Sequence, residues 1–394
     1  MYNQTKSLAV IYYDVYPKLW SVAGLLLARY APARFSGEIS QSLVFIFVFS
    51  LLETILGLPL SYYHHFVMEE EFGFNKMTVK LWITDMLKSQ ALGIVLGVPI
   101  GSAFLWIIQK TGQSFFYYLW VFMLFIQLTA ATVYPILIIP LFNKLSPLEP
   151  GPLKEAVEAL ARKLKFPLDE LQVIDGSKRS AHSNAYFTGL PWKKKIVVFD
   201  TLLEHSTNKE VEAVLAHELG HWKMGHTSRL LLIAQLQTFY IFALFSAFIK
   251  NRSLYEAFGF HNRQPIMIGL ILFNEVLAPA DIPIKLLMNI ITRSFEYQAG
   301  KPLAPSDIKD APLTILADNF ALNLGYKAEL AASLTRLQIK NLSAMDADWM
   351  YSGFHYSHPI LTERLRAIGW TGGDKSVLKS EDSEKPVKAA DREL

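Results

Sequence analysis

Cysteine is absent from this 394-residue chain. Its absence excludes disulfide bonds, thiolate metal sites and a cysteine nucleophile, so histidines and carboxylates are the metal ligands that remain. The chain also lacks a large excess of charge of one sign, because the formal net charge at pH 7 is only +3. The composition therefore gives no electrostatic argument for nucleic acid as a partner.

The N-terminus lacks the features of a secretory signal peptide. A mixed aromatic stretch containing Asp14 and Lys18 occupies the place of a basic segment, an apolar core and a small-residue cleavage site. At the other end, residues 371–394 are polar and charged, which predicts a disordered tail. The final Asp-Arg-Glu-Leu394 is a poor match to a retention tetrapeptide of the endoplasmic reticulum.

Apolar residues are abundant and make up 52% of the chain. Several runs are long enough to cross a bilayer core of about 30 Å. The run 19–34 is weaker and is counted as a span only because of the other runs. The last run contains Glu275 and Asp281, and ionisable residues at that depth commonly face a bundle interior or a watery cavity. Its alternative is two buried helices that meet at Pro279. About six spans are predicted: 19–34, 41–60, 91–108, 115–142, 229–249 and 266–291.

The composition changes between the fourth and fifth of these runs, where residues are charged and turns are frequent. An amphipathic helix is predicted near 152–165, and strand-like segments around Leu171, Asn184 and Lys195 predict a small antiparallel sheet. The predicted organisation is membrane helices in 1–142, a soluble domain in 143–228, two membrane helices in 229–292, a second soluble part in 293–370 and the tail in 371–394.

The motif His217-Glu-Leu-Gly-His221 lies in the first soluble part. A capping box, Thr207-Asn-Lys-Glu210, predicts a helix that begins about two turns earlier and places both histidines on one face. Two imidazoles on one face can bind zinc, and Glu218 beside them can take a proton from water that the metal activates. The motif predicts a metalloprotease. Its alternative is a polar helix face on which Glu218 is solvated.

A catalytic zinc site needs a third protein ligand and an open position for water. Two antiparallel spans follow His221, and they return the chain to the face that it left. Glu296 comes directly after the second span, so it is the candidate third ligand. The alternative is an interfacial carboxylate beside Arg293.

Stretches that run almost from end to end give the chain a wider resemblance. It resembles the CAAX prenyl proteases, multi-span zinc endopeptidases of the endoplasmic reticulum. Besides the zinc motif, the matching stretches are Leu58-Pro-Leu-Ser-Tyr-Tyr63, Phe72-Gly-Phe-Asn-Lys76, Pro140-Leu-Phe-Asn-Lys-Leu145, Gly176-Ser-Lys-Arg-Ser-Ala-His-Ser-Asn-Ala-Tyr-Phe187, Phe295-Glu-Tyr-Gln-Ala299 and His355-Tyr-Ser-His-Pro359.

The resemblance implies a mainly α, polytopic membrane protein that encloses a chamber and carries a zinc metalloprotease domain with a small β-sheet. It implies removal of the C-terminal tripeptide from prenylated CAAX proteins and, in fungal members, processing of a prenylated pheromone precursor. The implied partners are prenylated CAAX peptides and proteins and membrane lipid. The implied location is the membrane of the endoplasmic reticulum, with the active site opening to the cytosol.

The resemblance also implies that His217, His221 and Glu296 bind Zn²⁺ and that Glu218 is the general base. His358 and Arg364 match positions that stabilise the oxyanion and hold the substrate.

The resemblance further implies that Asn184 lies on an edge strand, which is expected to pair with an extended peptide by β-augmentation. Without the resemblance, each of these three residues has an alternative role. His358 could cap a turn, Arg364 could pair with a neighbour of Glu363, and Asn184 could be a turn residue. Three further histidines are predicted to be structural, because none lies four residues from a ligand: His182, His226 and His355.

The chain departs from the family in two places. Members carry about one more membrane helix ahead of the point where this chain begins, giving seven spans, so truncation or loss of that helix is expected. The family motif also runs from Ala299 straight into a helix whose Asp orients a zinc-binding histidine. Here the matching residue is Asp318, and residues 300–317 intervene, with a glycine and prolines that would break the helix.

Two explanations of the insertion remain open, a retained intron and a surface loop. The insertion also leaves a rival function open, because a broken helix after Glu296 would weaken the site. That rival is a non-catalytic membrane protein that acts as a scaffold or binds a partner.

Overall fold

The computed structural model describes residues 10–190, 192–297 and 317–370. The helices of four or more residues in this part of the chain are α1 Val15–Tyr30, α2 Glu38–Tyr63, α3 Val79–Thr111, α4 Phe115–Val133, α5 Ile139–Phe142, α6 Pro152–Leu164, α7 Asp200–His205, α8 Asn208–Lys223, α9 His226–Phe248, α10 Arg252–Ala257, α11 Ile266–Tyr297, α12 Ala317–Asn323, α13 Lys327–Lys340, α14 Trp349–His355 and α15 Leu361–Ala367.

Short turns of other helix types extend some of these helices. A π-helical turn, His64–Met68, continues α2 into Glu69–Glu71, and a second one, Tyr134–Ile138, joins α4 to α5. A 3-10 turn at Gly112–Ser114 connects α3 to α4. The strands are β1 Leu145–Pro147, β2 Leu168–Ile174, β3 Ala185–Leu190 and β4 Lys193–Phe199.

Long apolar helices dominate the chain. Within the described residues, four stretches are long and apolar enough to cross a membrane: Glu38–Glu71, Val79–Phe142, His226–Phe248 and Ile266–Glu296. The second stretch contains both α3 and α4, so these stretches and the shorter α1 account for the six predicted runs. The prediction of a mainly α membrane protein with a small β-sheet is confirmed.

Helix α11 decides between the two alternatives for the last apolar run. It continues as one helix from Ile266 to Tyr297 through Pro279 and Pro283, so two helices meeting at Pro279 are wrong. Tyr16 of α1 donates a hydrogen bond to Glu275 of α11 over 3.3 Å. This contact turns a charged residue of the run toward another helix, which accords with the expectation for ionisable groups at membrane depth.

The chain divides into two compact units. The first is formed within Met1–Glu69, Thr78–Leu128 and Leu232–Asp281, and the second within Glu70–Met77, Thr129–Leu231 and Ile282–Leu394. In the first unit, aromatic side chains such as Trp20, Phe45 and Tyr255 pack in one buried cluster with aliphatic side chains of α11. Gly269 is required there, because a Cβ at this position would lie 2.0 Å from the Tyr255 hydroxyl.

The second unit contains a four-stranded sheet with the order β1-β2-β4-β3. The central pair, β2 and β4, is parallel, whereas the outer pairs are antiparallel. The prediction of an antiparallel sheet is therefore wrong for the central pair. The reason is that β3 and β4 form a hairpin, and β4 rather than β3 lies beside β2. This arrangement leaves β3 at one edge of the sheet.

Helix α8 packs against this sheet and begins at the residue that the sequence predicts. The Thr207 hydroxyl accepts from the Glu210 amide over 3.3 Å, and the Glu210 carboxylate accepts from the Thr207 amide over 2.8 Å. The predicted capping box is confirmed. Leu215 and Leu219 on the helix are buried in a cluster shared with α6, β4 and α13. The buried face fixes the rotation of α8 and hence the direction of its polar face.

Replacing Thr207 by Ala removes one of these two hydrogen bonds. We expect a loss of about 1 kcal/mol, the usual value for an N-cap of this kind, and therefore a lower midpoint of thermal unfolding in detergent. Thr207→Ser keeps the hydroxyl and is the matched control, with a midpoint close to that of the unaltered protein. Equal midpoints for the Ala and Ser variants would contradict a stabilising cap.

Candidate active site

His217 and His221 lie one turn apart on the polar face of α8. Their ring centroids are 4.8 Å apart and their planes are inclined by 79°. The Nε2 atoms of the two rings face each other at 3.2 Å. Glu218, the next residue after His217, is half-buried on the same helix. One turn of helix thus carries two facing ring nitrogens and, next to the first of them in the sequence, a carboxylate.

Glu296 reaches these histidines from the end of α11. Its side chain is only 1% exposed, and its Oε1 lies 3.1 Å from Nε2 of His221. Its Oε2 lies 3.7 Å from Nε2 of His217. The structure thus brings together the three side chains that the sequence predicts as metal ligands.

The donor set fits a divalent metal ion. The ligand atoms of His217, His221 and Glu296 all lie within 4.8 Å of one another, and ligands of a tetrahedral zinc at about 2.0–2.1 Å are separated by about 3.3 Å. Among the described residues, the buried Oε2 of Glu296 has no hydrogen-bond partner. A buried carboxylate oxygen in that state is costly unless a cation satisfies it.

Two residues of the C-terminal part face the same carboxylate. His358 Nδ1 lies 3.1 Å from Oε1 of Glu296, while 66% of its side chain is exposed. A guanidinium nitrogen of Arg364 lies 3.9 Å from Oε2 of Glu296 and 3.5 Å from Nδ1 of His217. Both side chains therefore adjoin the candidate metal site, one of them open to solvent and one largely buried.

Arg293 is a residue whose role sequence reasoning missed. Instead of pairing with Glu296, it forms two hydrogen bonds of 3.0 and 2.9 Å to the carboxylate of Glu363. It also donates to Ser352 Oγ at 2.9 Å and to the carbonyl of His358 at 3.4 Å. Arg293 lies three residues before Glu296, on a similar face of α11. It ties the segment that carries His358 and Arg364 to the helix that carries Glu296.

His226, which is predicted to be structural, contacts a candidate metal ligand. Its Nδ1 lies 2.8 Å from Nδ1 of His221, and its buried ring stacks on Phe295 at 4.3 Å with an angle of 6°. The five-residue separation from His221 gave no signal of this contact, because the helix is interrupted between α8 and α9 at Gly225, which has a φ of +67°. The spacing rule of a continuous helix does not apply across that break.

The other two histidines that were predicted to be structural lie in aromatic contacts instead. His182 stacks on Phe74 and His355 stacks on Tyr351, in both cases with centroids 4.3 Å apart. These contacts agree with a packing role.

Asn184 and Asp318 are the remaining predicted site residues. Asn184 is exposed immediately before the edge strand β3, and its Oδ1 accepts from the Ala185 amide over 2.8 Å. Asp318 belongs to the first turn of α12, but its side chain lies outside the described residues, as do residues 300–316 of the insertion.

Two family models match this chain. Residues 1–144 match the model described as CAAX prenyl protease N-terminal, five membrane helices. Residues 147–302 match the model described as Peptidase family M48. Between them, the two models include the residues of α8 and of α11.

Named proteins with similar sequences cover almost the whole chain. CAAX prenyl protease 1 of Saccharomyces cerevisiae is 45% identical over 392 residues, which are 95% of this chain and 83% of the yeast protein. The Homo sapiens homolog is 36% identical over 93% of this chain and 82% of its own length. The crystal structure of S. mikatae Ste24p has a TM-score of 0.83 and 47% identity, and it covers 93% of this chain and 83% of that one.

The pairing of Arg293 with Glu363 leads to a prediction about stability. Arg293→Met leaves Glu363 without its partner in a largely buried place, so we expect a loss of roughly 3–5 kcal/mol, seen as a lower thermal midpoint. The double variant Arg293→Met/Glu363→Gln should lose less stability than the sum of the losses of its two single variants, because it contains no unpaired buried charge at this position. Arg252→Met, which disrupts the exposed pair with Glu256, is the control and should change little. Additive losses would contradict a direct coupling.

Proposed function

Because this chain belongs to peptidase family M48 and to its CAAX prenyl proteases, we propose that it is a zinc-dependent endopeptidase that removes the C-terminal tripeptide from prenylated CAAX proteins. Membership implies a multi-pass membrane enzyme that uses a metal. The observation that carries the proposal further is the convergence of His217, His221 and Glu296, with Glu218 next to His217 on the same helix. The substrate class follows from the names of the relatives.

The metal in this proposal is Zn²⁺, held by His217, His221 and Glu296. Two imidazoles, one carboxylate and no thiolate are a common donor set of catalytic zinc. When bound, zinc lowers the pKa of a water molecule toward neutrality and polarises a carbonyl group. His226 supports the set, because its Nδ1 contacts the ring edge of His221 opposite the candidate ligand atom.

Different side chains around the metal are proposed to transfer the proton and to stabilise the negative charge during peptide hydrolysis. Glu218 is proposed to accept a proton from the attacking water and to pass it to the nitrogen of the leaving tripeptide. His358 and Arg364 are proposed to stabilise the oxyanion that forms at the scissile carbonyl. Both lie against Glu296 within 4 Å, so they are close enough to serve the same reacting group.

Asp318 is proposed to accept from Nδ1–H of His217, the role that its position in the family motif indicates. The regions 143–228 and 293–370 are proposed to form one protease domain, because residues of both surround Glu296.

The edge strand β3 is the proposed platform for the extended peptide. Among the described residues, its backbone pairs with β4 on one side only, and a substrate strand can add to the other side by β-augmentation. Asn184, exposed where the strand begins, is proposed to hold the peptide by its side chain. Membrane lipid is proposed as a further partner, because the long apolar helices are of a length to cross a bilayer. We further propose a location in the endoplasmic reticulum membrane with the site open to the cytosol, and a pheromone precursor among the substrates.

Glu218→Gln tests the proposed general base. We expect turnover of a farnesylated CAAX peptide to fall by about 10²–10⁴-fold, while bound zinc, measured by mass spectrometry, stays equal to that of the unaltered protein. His217→Asn is the companion variant and should lose both activity and zinc. Normal turnover by Glu218→Gln would remove Glu218 as the base. An unaltered protein that binds zinc and the peptide without cleaving it would favour the rival scaffold.

His358→Ala tests the proposed oxyanion stabilisation. We expect kcat to fall by about 10²–10³-fold, the scale of one oxyanion donor, with a smaller change in KM. His355→Ala is a matched control, because that ring is also exposed and lies three residues earlier but stacks on Tyr351. Steady-state kinetics of both variants with the farnesylated peptide decide the matter. Equal losses in both would show that His358 has no special role.

A further inference from the structure

A second cluster of metal-ligating side chains lies at the end of α2, in the first compact unit. It consists of His64, His65 and Glu69, and their ligand atoms all lie within 4.8 Å of one another. Among the described residues, this cluster and the His217 site are the two that meet that criterion. Unlike the His217 site, it is partly open to solvent, and half of the His64 side chain is exposed.

Each imidazole in the cluster faces its own oxygen of one carboxylate. Nδ1 of His65 lies 3.1 Å from Oε2 of Glu69, and Nδ1 of His64 lies 3.7 Å from Oε1. The two rings are neighbours, with centroids 5.1 Å apart and planes inclined by 83°. Both Nδ1 atoms therefore point toward the same carboxylate. Small side-chain rotations are enough to place all three donors around one ion.

The backbone explains how adjacent histidines can share one carboxylate. Residues His64–Met68 form a π-helical turn, in which the amide of Glu69 donates to the carbonyl of His64. In an α-helix the same amide would donate to His65, and Glu69 would lie over His65 alone. The π-turn, a rare conformation often found at functional sites, moves Glu69 into reach of His64 as well.

We propose that His64, His65 and Glu69 form a second binding site for a divalent cation of the zinc class. Neutral imidazole nitrogens and a carboxylate oxygen suit Zn²⁺ better than the oxygen-preferring Mg²⁺ or Ca²⁺, and water completes the coordination of an exposed ion. The bound ion would join side chains from both ends of the π-turn and so stabilise it against the α-helical alternative. The site is separate in its residues from the proposed catalytic metal.

The test is the number of zinc equivalents bound by the full chain in detergent. Protein stripped with a chelator is titrated with Zn²⁺ and followed by calorimetry. We expect about two equivalents for the unaltered protein, with the second removed or weakened at least tenfold in His64→Asn and in Glu69→Gln. His261→Asn, which changes an exposed histidine of the same unit, is the control and should keep both.

The variants separate this proposal from the proposed function. His217→Asn should lose one equivalent and keep the one that depends on His64. If the unaltered protein binds only one equivalent of zinc and His64→Asn binds one as well, the second site is overturned and the proposed catalytic metal stands. An equivalent that is lost in Glu69→Gln but kept in His64→Asn would also overturn it, because binding would then not use the contact that the π-turn creates. An unchanged thermal midpoint in the absence of zinc shows that both variants are folded.

Discussion

The buried carboxylate of Glu296 is the constraint on which the candidate active site depends. A carboxylate with 1% exposure is unfavourable unless cations and hydrogen bonds surround it. Here His221, His358 and Arg364 lie around it, and they come from helix α8 and from the C-terminal segment that follows α14. Because these groups are distant in sequence, the requirement to satisfy one charge brings three segments of the second unit together.

The helix that supplies this charge also supplies the group that orders its surroundings. Arg293 and Glu296 are three residues apart on α11, so both side chains leave the helix in similar directions. Arg293 holds Glu363 and the carbonyl of His358, and Glu363 in turn accepts from the amide of Ile360 at the start of α15 over 3.0 Å. The positions of His358 and Arg364 therefore depend on a neighbouring ion pair that takes no part in the proposed chemistry.

Patterns within one helix were predictable from the sequence, whereas contacts between separate elements were not. The capping box at Thr207 and the spacing of His217 and His221 are properties of one helix, so the residues alone were sufficient. Glu296 was a candidate because two spans must return the chain to the side that it left. The contact of His226 crosses a helix break, and the partner of Arg293 lies 70 residues away, so neither had a local signal. The direction of β4 likewise depends on which strands become neighbours.

The contact between Arg364 and His217 bears on how metal and substrate would follow one another. A guanidinium carries donors and no acceptor, so its hydrogen bond to Nδ1 of His217 requires an unprotonated Nδ1 and a proton on Nε2. A metal bound at Nε2 requires the opposite tautomer, in which Nδ1 carries the proton and cannot accept. A metal held at Nε2 would therefore exclude this hydrogen bond, and Nδ1–H would then donate to an acceptor, the role proposed for Asp318. Under the proposed function, the guanidinium of Arg364 would then give up its contact with His217 and would serve the proposed oxyanion instead.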